Sequence, residues 1–357
     1  MVPSADDESS APGEPTGPGR RRWLLVVAIV ATLALAGASV VLLARRSTRT
    51  QPSATSTSSS TTTTSGAIAP LTGLPDPHGV TAHRCAVTVK VDNTPAARPQ
   101  HGIDEADVVY EEVVEGGITR LAAIFQSHAP HSVGPVRSVR LTDQSIVWPI
   151  RGVFAFSGGA PYAIASIDTA PVTLLDESRA GSMMYRDTTR AAPHNLYAHV
   201  DQMYGRCASP PPPALFTYRR AGVAPTGGAP ATSASVGFRS GYAVTWTWSA
   251  SSRRWVRSIF GASDVTSSGV RVSAANVVIM VVHYVGGAGA FGAEADLTGH
   301  GFAWVLTDGR VVKGVWSRAV KQQPARLLDP DGRMIGLSPG NTWVELADTN
   351  YSVTAQP

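Results

Sequence analysis

The fold prediction starts from the stretch "DVVYEEVVEGGITRLAAIFQS", residues 107–127. Two apolar-rich runs flank Gly116 and Gly117, and each run has the length and composition of a β-strand. Paired glycines supply the positive φ angles that a tight hairpin turn needs. We therefore predict antiparallel strands at 108–115 and 118–127. Three charged side chains are expected near this turn as surface pairs across the two strands: Glu111, Glu115 and Arg120.

The residues around this hairpin predict an α/β region over 67–208. "CAVTVKVDN", residues 85–93, alternates like a strand before the hairpin. After it we predict a helix over 136–148, which Pro149 ends, and a strand over 153–156. A glycine-rich turn then leads into a helix that begins at Pro161, because proline suits the first helical turn. A further helix is expected to begin at Asn195 or Leu196.

The sequence of the C-terminal part of the chain predicts a series of β-strands. A connector rich in proline and glycine over 209–235 precedes a β domain over 236–357. The pairs Asp308-Gly309 and Asp331-Gly332 are hairpin turn signals. We predict an α+β fold: a mixed α/β domain followed by an antiparallel sandwich or barrel. Its tryptophans are expected to fill the core, with a sugar-stacking face as the alternative: Trp246, Trp248, Trp255, Trp304, Trp316 and Trp343.

The N-terminal region contains an apolar segment at 23–44. It has 22 residues without a charge, and about 20 suffice to span a bilayer as a helix. We predict an uncleaved, single-pass anchor, with a cleaved signal peptide as the alternative. Residues 1–22 would be a short cytoplasmic tail, and the Ser/Thr-rich stretch 45–66 a flexible linker. The chain would then meet the membrane through 23–44 and hold its bulk outside the cytoplasm.

Charge argues against a nucleic-acid partner. The formal net charge of +4 owes much to six arginines that flank the apolar segment, and without them it would be −2. A nucleic-acid-binding domain needs a basic surface, so we expect no such partner.

The chain has only two cysteines, Cys85 and Cys207. In an oxidising compartment they could pair and close a loop of about 120 residues, which the chain-entropy treatment values at about 4–5 kcal/mol. The alternative is two unrelated buried thiols.

Three polar groups of residues are each predicted beside a strand end or a helix start. The first contains Arg137, Arg140 and Asp143, the second Ser157, Gly158 and Gly159, and the third Arg186, Asp187, Arg190, His194 and Asn195. If they converge, they form one oxyanion-binding pocket, because guanidinium groups and free amides suit phosphate or carboxylate. The alternative is that Arg186 and Arg190 form structural salt bridges with Asp187 and Asp143. The candidate ligand-binding residues are Arg137, Arg140, Asp143, Ser157, Gly158, Gly159, Arg186, Arg190, His194 and Asn195.

Catalytic signatures are missing from this sequence. Neither a Ser-x-x-Lys, a Gly-x-Ser-x-Gly nor a His-Glu-x-x-His motif occurs, and the histidine spacings lack the carboxylate pattern of a zinc site. We therefore expect no metal and no cofactor. Two hypotheses remain: a binding protein for an anionic envelope ligand or a partner protein, and an enzyme acting on a phosphate- or carboxylate-bearing wall precursor. In the enzyme, His194 or Asp187 would be the acid or base.

Several separated motifs together resemble the YerB-like family of bacterial lipoproteins, a group of unknown function. The resemblance implies an extracytoplasmic protein with an N-terminal α/β part and a C-terminal β part, and it implies no activity. A lipoprotein needs a cysteine just after its signal, and residues 23–66 contain none, so we expect the helix to tether this chain instead. The motifs are residues 89–127, "GPVRSVR" at 134–140, "FSGGAPYA" at 156–163, "RDTTRAAPHNLY" at 186–197 and "PGNTWVEL" at 339–346.

Overall fold

A computed structural model describes residues 67–239 and 241–357. No helix within these ranges is long and apolar enough to cross a membrane. The predicted anchor at 23–44 and the segments 1–22 and 45–66 lie outside the described residues. The helices are short and are numbered α1 (Val80–His83), α2 (Leu141–Val147), α3 (Pro161–Ile167), α4 (Glu177–Ala180) and α5 (Val200–Met203).

Strands dominate the described ranges. They are β1 (Val87–Asp92), β2 (Val108–Val113), β3 (Thr119–Phe125), β4 (Val153–Ala155), β5 (Thr173–Leu175), β6 (Met184–Arg186), β7 (Leu196–Ala198), β8 (Ala229–Pro230), β9 (Ser233–Arg239), β10 (Tyr242–Ser249), β11 (Arg254–Ile259), β12 (Ala262–Ser263), β13 (Ser273–Ala274), β14 (Asn276–Val282), β15 (Tyr284–Val285), β16 (Glu294–Ala295), β17 (Gly299–Thr307), β18 (Arg310–Arg318), β19 (Arg326–Leu328), β20 (Thr342–Asp348) and β21 (Ser352–Gln356).

The predicted hairpin lies in the middle of a large sheet. β2 and β3 pair antiparallel, with Val108 opposite Ile124, and Gly116 and Gly117 have φ angles of 73° and 68°. The order of the sheet is β19-β18-β17-β14-β20-β2-β3-β1-β4-β5, with β8 beside β18. Two of the charges expected on the surface are therefore buried, because both strands have neighbours on each side and both faces are covered: Glu111 and Arg120.

One end of this sheet has α/β character. β1 runs parallel to β4, and β4 runs parallel to β5. Helix α3 connects β4 to β5, as a parallel pair requires a crossover connection. A small apolar cluster holds α2 and α3 against these strands, and it includes Val147, Phe154 and Ile167.

Strand β20 joins the two parts of the chain. It runs parallel to β2 on one side and parallel to β14 on the other. The C-terminal strands and the N-terminal hairpin therefore share one hydrogen-bonded sheet. The expectation of a purely antiparallel C-terminal part is wrong for β14 and β20, because each needs a partner whose backbone direction the local sequence does not specify.

A second sheet has the order β12-β11-β10-β9-β21, with β13 beside β11, and all of its pairings are antiparallel. It packs on the large sheet through tryptophan side chains. The rings of Trp246 and Trp343 are 5.3 Å apart, and both residues are at most 1% exposed. Core filling therefore accounts for these rings, as it does for buried Trp255.

Candidate functional site

The segment 134–140 is extended, and the prediction of a helix from residue 136 is wrong. Arg137 N donates to Lys90 O at 2.8 Å, and Arg137 O accepts from Ser157 N at 3.0 Å. Val139 N donates to Gly158 O at 3.0 Å. These long-range backbone bonds replace helical ones, so α2 begins only at residue 141. Arg137 and Arg140 therefore do not share a helical turn.

Asp92, at the end of β1, links two of the predicted site residues. Its Oδ2 lies 2.8 Å from His194 Nδ1 and 2.9 Å from Arg137 Nε. The N–H of Arg137 Nε does not point at this oxygen, so that contact is ionic rather than a directed hydrogen bond. Asp92 is fully buried, whereas the side chains of Arg137 and His194 are each 21% exposed. We call Asp92, Glu115, Arg120, Arg137, Arg140 and His194 the Asp92 cluster.

Arg120 brings a buried positive charge to this cluster. It is 5% exposed, and its Nη1 donates to Ser138 O at 2.9 Å. Its Nε is buried without an acceptor among the described residues. Burial, together with the charges of Arg140 and Arg137, lowers the pKa of Arg120 to about 10, so the group stays charged at neutral pH.

Arg140 is already neutralised within the cluster. Its Nε and Nη2 donate to Glu115 Oε2 at 2.9 and 2.7 Å, and its Nη1 donates to Val139 O. Burial by itself raises the pKa of the Glu115 carboxyl, but the hydrogen bonds and charge of Arg140, with the charge of Arg120, outweigh burial and lower the pKa below its usual value. Arg140 therefore has little capacity for a ligand.

Asp143 has a structural role rather than a ligand-binding one. Its Oδ2 accepts from Arg140 N at 2.7 Å at the start of α2, and its Oδ1 accepts from Lys90 Nζ at 2.7 Å. Its side chain is fully buried. The carboxylate caps the helix and neutralises a buried lysine, so it does not face a ligand.

Arg137 and His194 retain free bonding capacity. In the ranges that the structure describes, the two terminal amino groups of Arg137 donate to no acceptor. His194 uses Nδ1 for Asp92 and leaves Nε2 without a protein partner in those ranges. A guanidinium fork beside an imidazole nitrogen can bind a carboxylate or a phosphate oxygen.

The glycine-rich turn lies next to Arg137. Ser157 pairs with Arg137 through the backbone, and the amides of Gly158 and Gly159 donate to no acceptor within the described part of the chain. The φ angle of Gly158 is 117°, a conformation that other residues rarely adopt. A Cβ on Gly159 would lie 2.6 Å from Val139 Cγ1. The turn therefore has no side chain at residues 158 and 159, where the chain follows the backbone pairing of Ser157 with Arg137.

Apart from His194, the residues of the third predicted group do not contact the Asp92 cluster through their side chains. Arg186 donates to both carboxylate oxygens of Glu177, at 2.7 and 2.5 Å, and to Asn195 Oδ1 at 2.8 Å. Asp187 accepts from the amide and the hydroxyl of Thr189, in a local turn. For these residues the prediction of a single pocket is wrong. The alternative salt bridge from Arg186 to Asp187 is also wrong, because Arg186 pairs with Glu177.

Arg190 holds a loop in place instead of facing a ligand. Its donors reach the carbonyl oxygens of Ala96, Arg98 and Pro99 and the hydroxyl of Tyr197. The predicted helix beginning at residue 195 or 196 is also wrong: β7 occupies this place and pairs with β6. The local sequence did not reveal these distant acceptors.

Asp92 and Arg120 also belong to the site, although neither is among the candidate residues predicted from the sequence. Each nevertheless has a signal in the pattern of its strand. Asp92 ends a strand in which every residue is buried, and Arg120 precedes five apolar residues in another fully buried strand. A charge in such a position needs a partner, so each indicates a polar cluster.

The structure joins Cys85 and Cys207 in a disulfide bond. Cys85 precedes β1, and Cys207 follows the short helical turn after α5. The bond closes a loop across 122 positions and ties the end of the α/β part to its first central strand.

One cavity of about 380 Å³ lies away from the predicted site residues. Its walls come from the loop before β8, from β18 and from the turn after β19. The residues lining it include Gly228, Val312, Lys313 and Asp329, and none of the predicted site residues lines it.

Two family models match the chain. Residues 71–210 match the N-terminal domain, and residues 234–344 the C-terminal domain, of a "Protein of unknown function (DUF3048)". A protein from Bacillus subtilis named "Putative lipoprotein YerB" is 29% identical over 297 residues, which cover 78% of this chain and 85% of that protein. The crystal structure of the YerB protein from Bacillus subtilis superposes with a TM-score of 0.69 at 25% identity, and covers 81% of this chain and 99% of that one.

Proposed function

The chain belongs to the YerB-like family, whose two domains are of unknown function, and we propose that it is an extracytoplasmic protein. We further propose that it binds an anionic envelope ligand at Arg137 and His194. The observation that carries the proposal is the free pair of terminal amino groups on Arg137, held beside His194 by a buried carboxylate.

The extracytoplasmic location has three supports. The relative from Bacillus subtilis is named as a lipoprotein. The disulfide of Cys85 and Cys207 suits an oxidising compartment. The apolar segment 23–44 is long enough to anchor the chain, and the Ser/Thr-rich stretch 45–66 would hold the folded part away from the membrane.

The charges of the Asp92 cluster favour an anion. Three guanidinium groups, those of Arg120, Arg137 and Arg140, face two carboxylates. Glu115 is hydrogen-bonded to Arg140 and also attracts the buried Arg120, but the two carboxylates still leave one of the three guanidinium charges uncompensated. A phosphate or carboxylate between Arg137 and His194 would supply the missing negative charge.

Replacing Arg137 tests this proposal. We expect full-length protein in detergent to bind labelled teichoic-acid, peptidoglycan or lipid-phosphate fragments saturably. Arg137→Ala should weaken that binding by about tenfold to a hundredfold, because a charge-assisted contact contributes roughly 1.5–3 kcal/mol. Arg186→Ala is the matched control, since its guanidinium is paired with Glu177, and it should leave the affinity unchanged. Equal affinities for wild-type protein and Arg137→Ala, or no saturable binding of any of the three probes, would contradict the proposal.

An enzyme is the second candidate, and the His194–Asp92 pair favours it. A buried aspartate that accepts from Nδ1 holds an imidazole so that Nε2 can transfer a proton. If the labelled fragments are converted to products, and His194→Ala abolishes conversion while fragment binding persists, the enzyme is supported. Binding without any product supports the binding protein.

A further inference from the structure

A second group of titratable side chains lies where residues 130–133 meet 198–201. Val133 and Ala198 exchange two backbone hydrogen bonds, of 3.0 and 2.9 Å, and Asp201 N donates to Pro130 O at 3.3 Å. This pairing sets His131 on one segment close to His199 and Asp201 on the other. The group shares no residue with the Asp92 cluster.

The potential ligand atoms are already close together. One atom from each of His131, His199 and Asp201 lies within 4.8 Å of the other two. His131 Nδ1 and Asp201 Oδ2 are 2.9 Å apart. Two ligands of a tetrahedral zinc ion are about 3.3 Å apart, since each lies about 2.0–2.1 Å from the metal. The side chain of His131 is 72% exposed, so a small rotation can reach this spacing.

The ring of His199 is oriented before any ion binds. Its Nδ1 lies 2.6 Å from the carbonyl oxygen of His131, and because a carbonyl oxygen only accepts, Nδ1 carries the proton. Nε2 then keeps its lone pair, as in most metal-binding histidines. Tyr185 stacks on this ring at 4.7 Å and 18°, and its hydroxyl lies 2.8 Å from Ser132 Oγ.

We propose that His131, His199 and Asp201 form a binding site for a divalent transition-metal ion, with zinc as the best match. Two imidazoles and one carboxylate suit zinc and its neighbours in the first transition row, whereas calcium and magnesium favour oxygen ligands alone. Three protein ligands on an exposed surface leave at least one position open to water. Histidine spacings within one segment do not reveal this group, because the tertiary structure brings its ligands together from two segments.

Metal titration of the full-length protein, purified without a polyhistidine tag, tests the site. We expect one Zn²⁺ per chain by calorimetry, and a visible absorption spectrum with Co²⁺ that Zn²⁺ removes. His199→Ala and His131→Ala should each lower the affinity at least about tenfold, because losing a ligand costs no less than losing an outer-shell contact. His300→Ala removes an exposed histidine outside the group and should bind like the wild type.

A folding control keeps this test decisive. Zn²⁺ should raise the midpoint of thermal unfolding of the wild-type chain and of His300→Ala, because an ion that binds only the folded state stabilises it. It should have no such effect on the double variant His131→Ala/His199→Ala, whose circular dichroism spectrum should match that of the wild type. Zinc binding that the folded double variant retains, or no saturable binding to the wild type, would overturn the proposal.

Discussion

Lys90 lies in β1 without any exposed side-chain surface, between two carboxylates. Its ammonium group contacts Glu112 of β2 and lies 2.7 Å from Asp143 Oδ1. Burial disfavours the charged form of Glu112 and the Asp143 charge adds to this effect, while Lys90 opposes it. The pKa of Glu112 consequently rises to about 7. One buried ammonium group thus neutralises part of the charge of two carboxylates. Because the pKa of Glu112 is near 7, its protonation state changes near neutral pH.

Glu112→Gln should reduce the pH dependence of stability. A carboxyl whose pKa is raised on folding stabilises the fold below its ordinary pKa of 4.5, and this contribution is lost as pH rises through about 7. Between about pH 5 and pH 8, the wild-type chain should lose roughly 1–3 kcal/mol relative to Glu112→Gln. Urea unfolding across this range measures the difference. Parallel stability profiles for the two proteins would show that Glu112 does not titrate there.

At the scale of elements, the segment 134–140 shows how distant partners override a local pattern. Its apolar spacing after the opening Gly134-Pro135 is compatible with a helix. The backbone of Arg137 nevertheless bonds Lys90 on one side and Ser157 on the other. An extended segment satisfies the buried backbone groups of two neighbours at once, which a helix at this position could not do.

The start of β4 depends on a residue without a Cβ atom. Gly152 has a φ of 83°, and a Cβ there would lie 2.0 Å from Ala86 O. We expect Gly152→Ala to lower the free energy of unfolding by about 2 kcal/mol or more, from backbone strain and from the clash. Gly205→Ala is the control, because nothing lies within 4 Å of a Cβ at that position. Denaturant unfolding compares the two, and equal stabilities would contradict the close approach.

At the scale of the whole molecule, buried polar contacts tie the two parts together. Arg257 of the second sheet contacts Glu111 of the hairpin at 2.5 Å with both side chains fully buried. Trp246 Nε1 donates to Glu345 Oε1 of β20 at 2.8 Å. Burial and the nearby charge of Glu111 raise the pKa of Glu345. If one part unfolded alone, charges that stayed buried in the other part would lose their partners, which is strongly unfavourable.

The described residues should therefore unfold in one cooperative step, although two separate family models match them. The described residues, 67–239 and 241–357, belong to one compact unit, and β20 lies between β14 and β2 in the shared sheet. Differential scanning calorimetry of the oxidised full-length protein should give one transition, with a van't Hoff enthalpy close to the calorimetric one. Trp343→Ala should move that whole transition down, by about 3–5 kcal/mol of stability. Two resolved transitions would show that the parts unfold independently.

The sequence alone predicts the central hairpin, the helix that begins at Pro161 and the antiparallel strands of the second sheet. These depend on local signals: runs of apolar residues, paired glycines and prolines. It also singled out Arg137 and His194 as polar residues beside turns.

The contacts of those residues, by contrast, depend on the tertiary structure. It placed Asp92 between Arg137 and His194, occupied Arg186 and Arg190 elsewhere, made β20 parallel to both of its neighbours, and brought His131 to His199. The reason is the distance along the chain between the residues that interact. A local pattern specifies the conformation of a segment, but the partner of a charge or of a strand edge comes from residues far along the chain, and the choice among partners is made by burial and by the hydrogen bonds that burial requires.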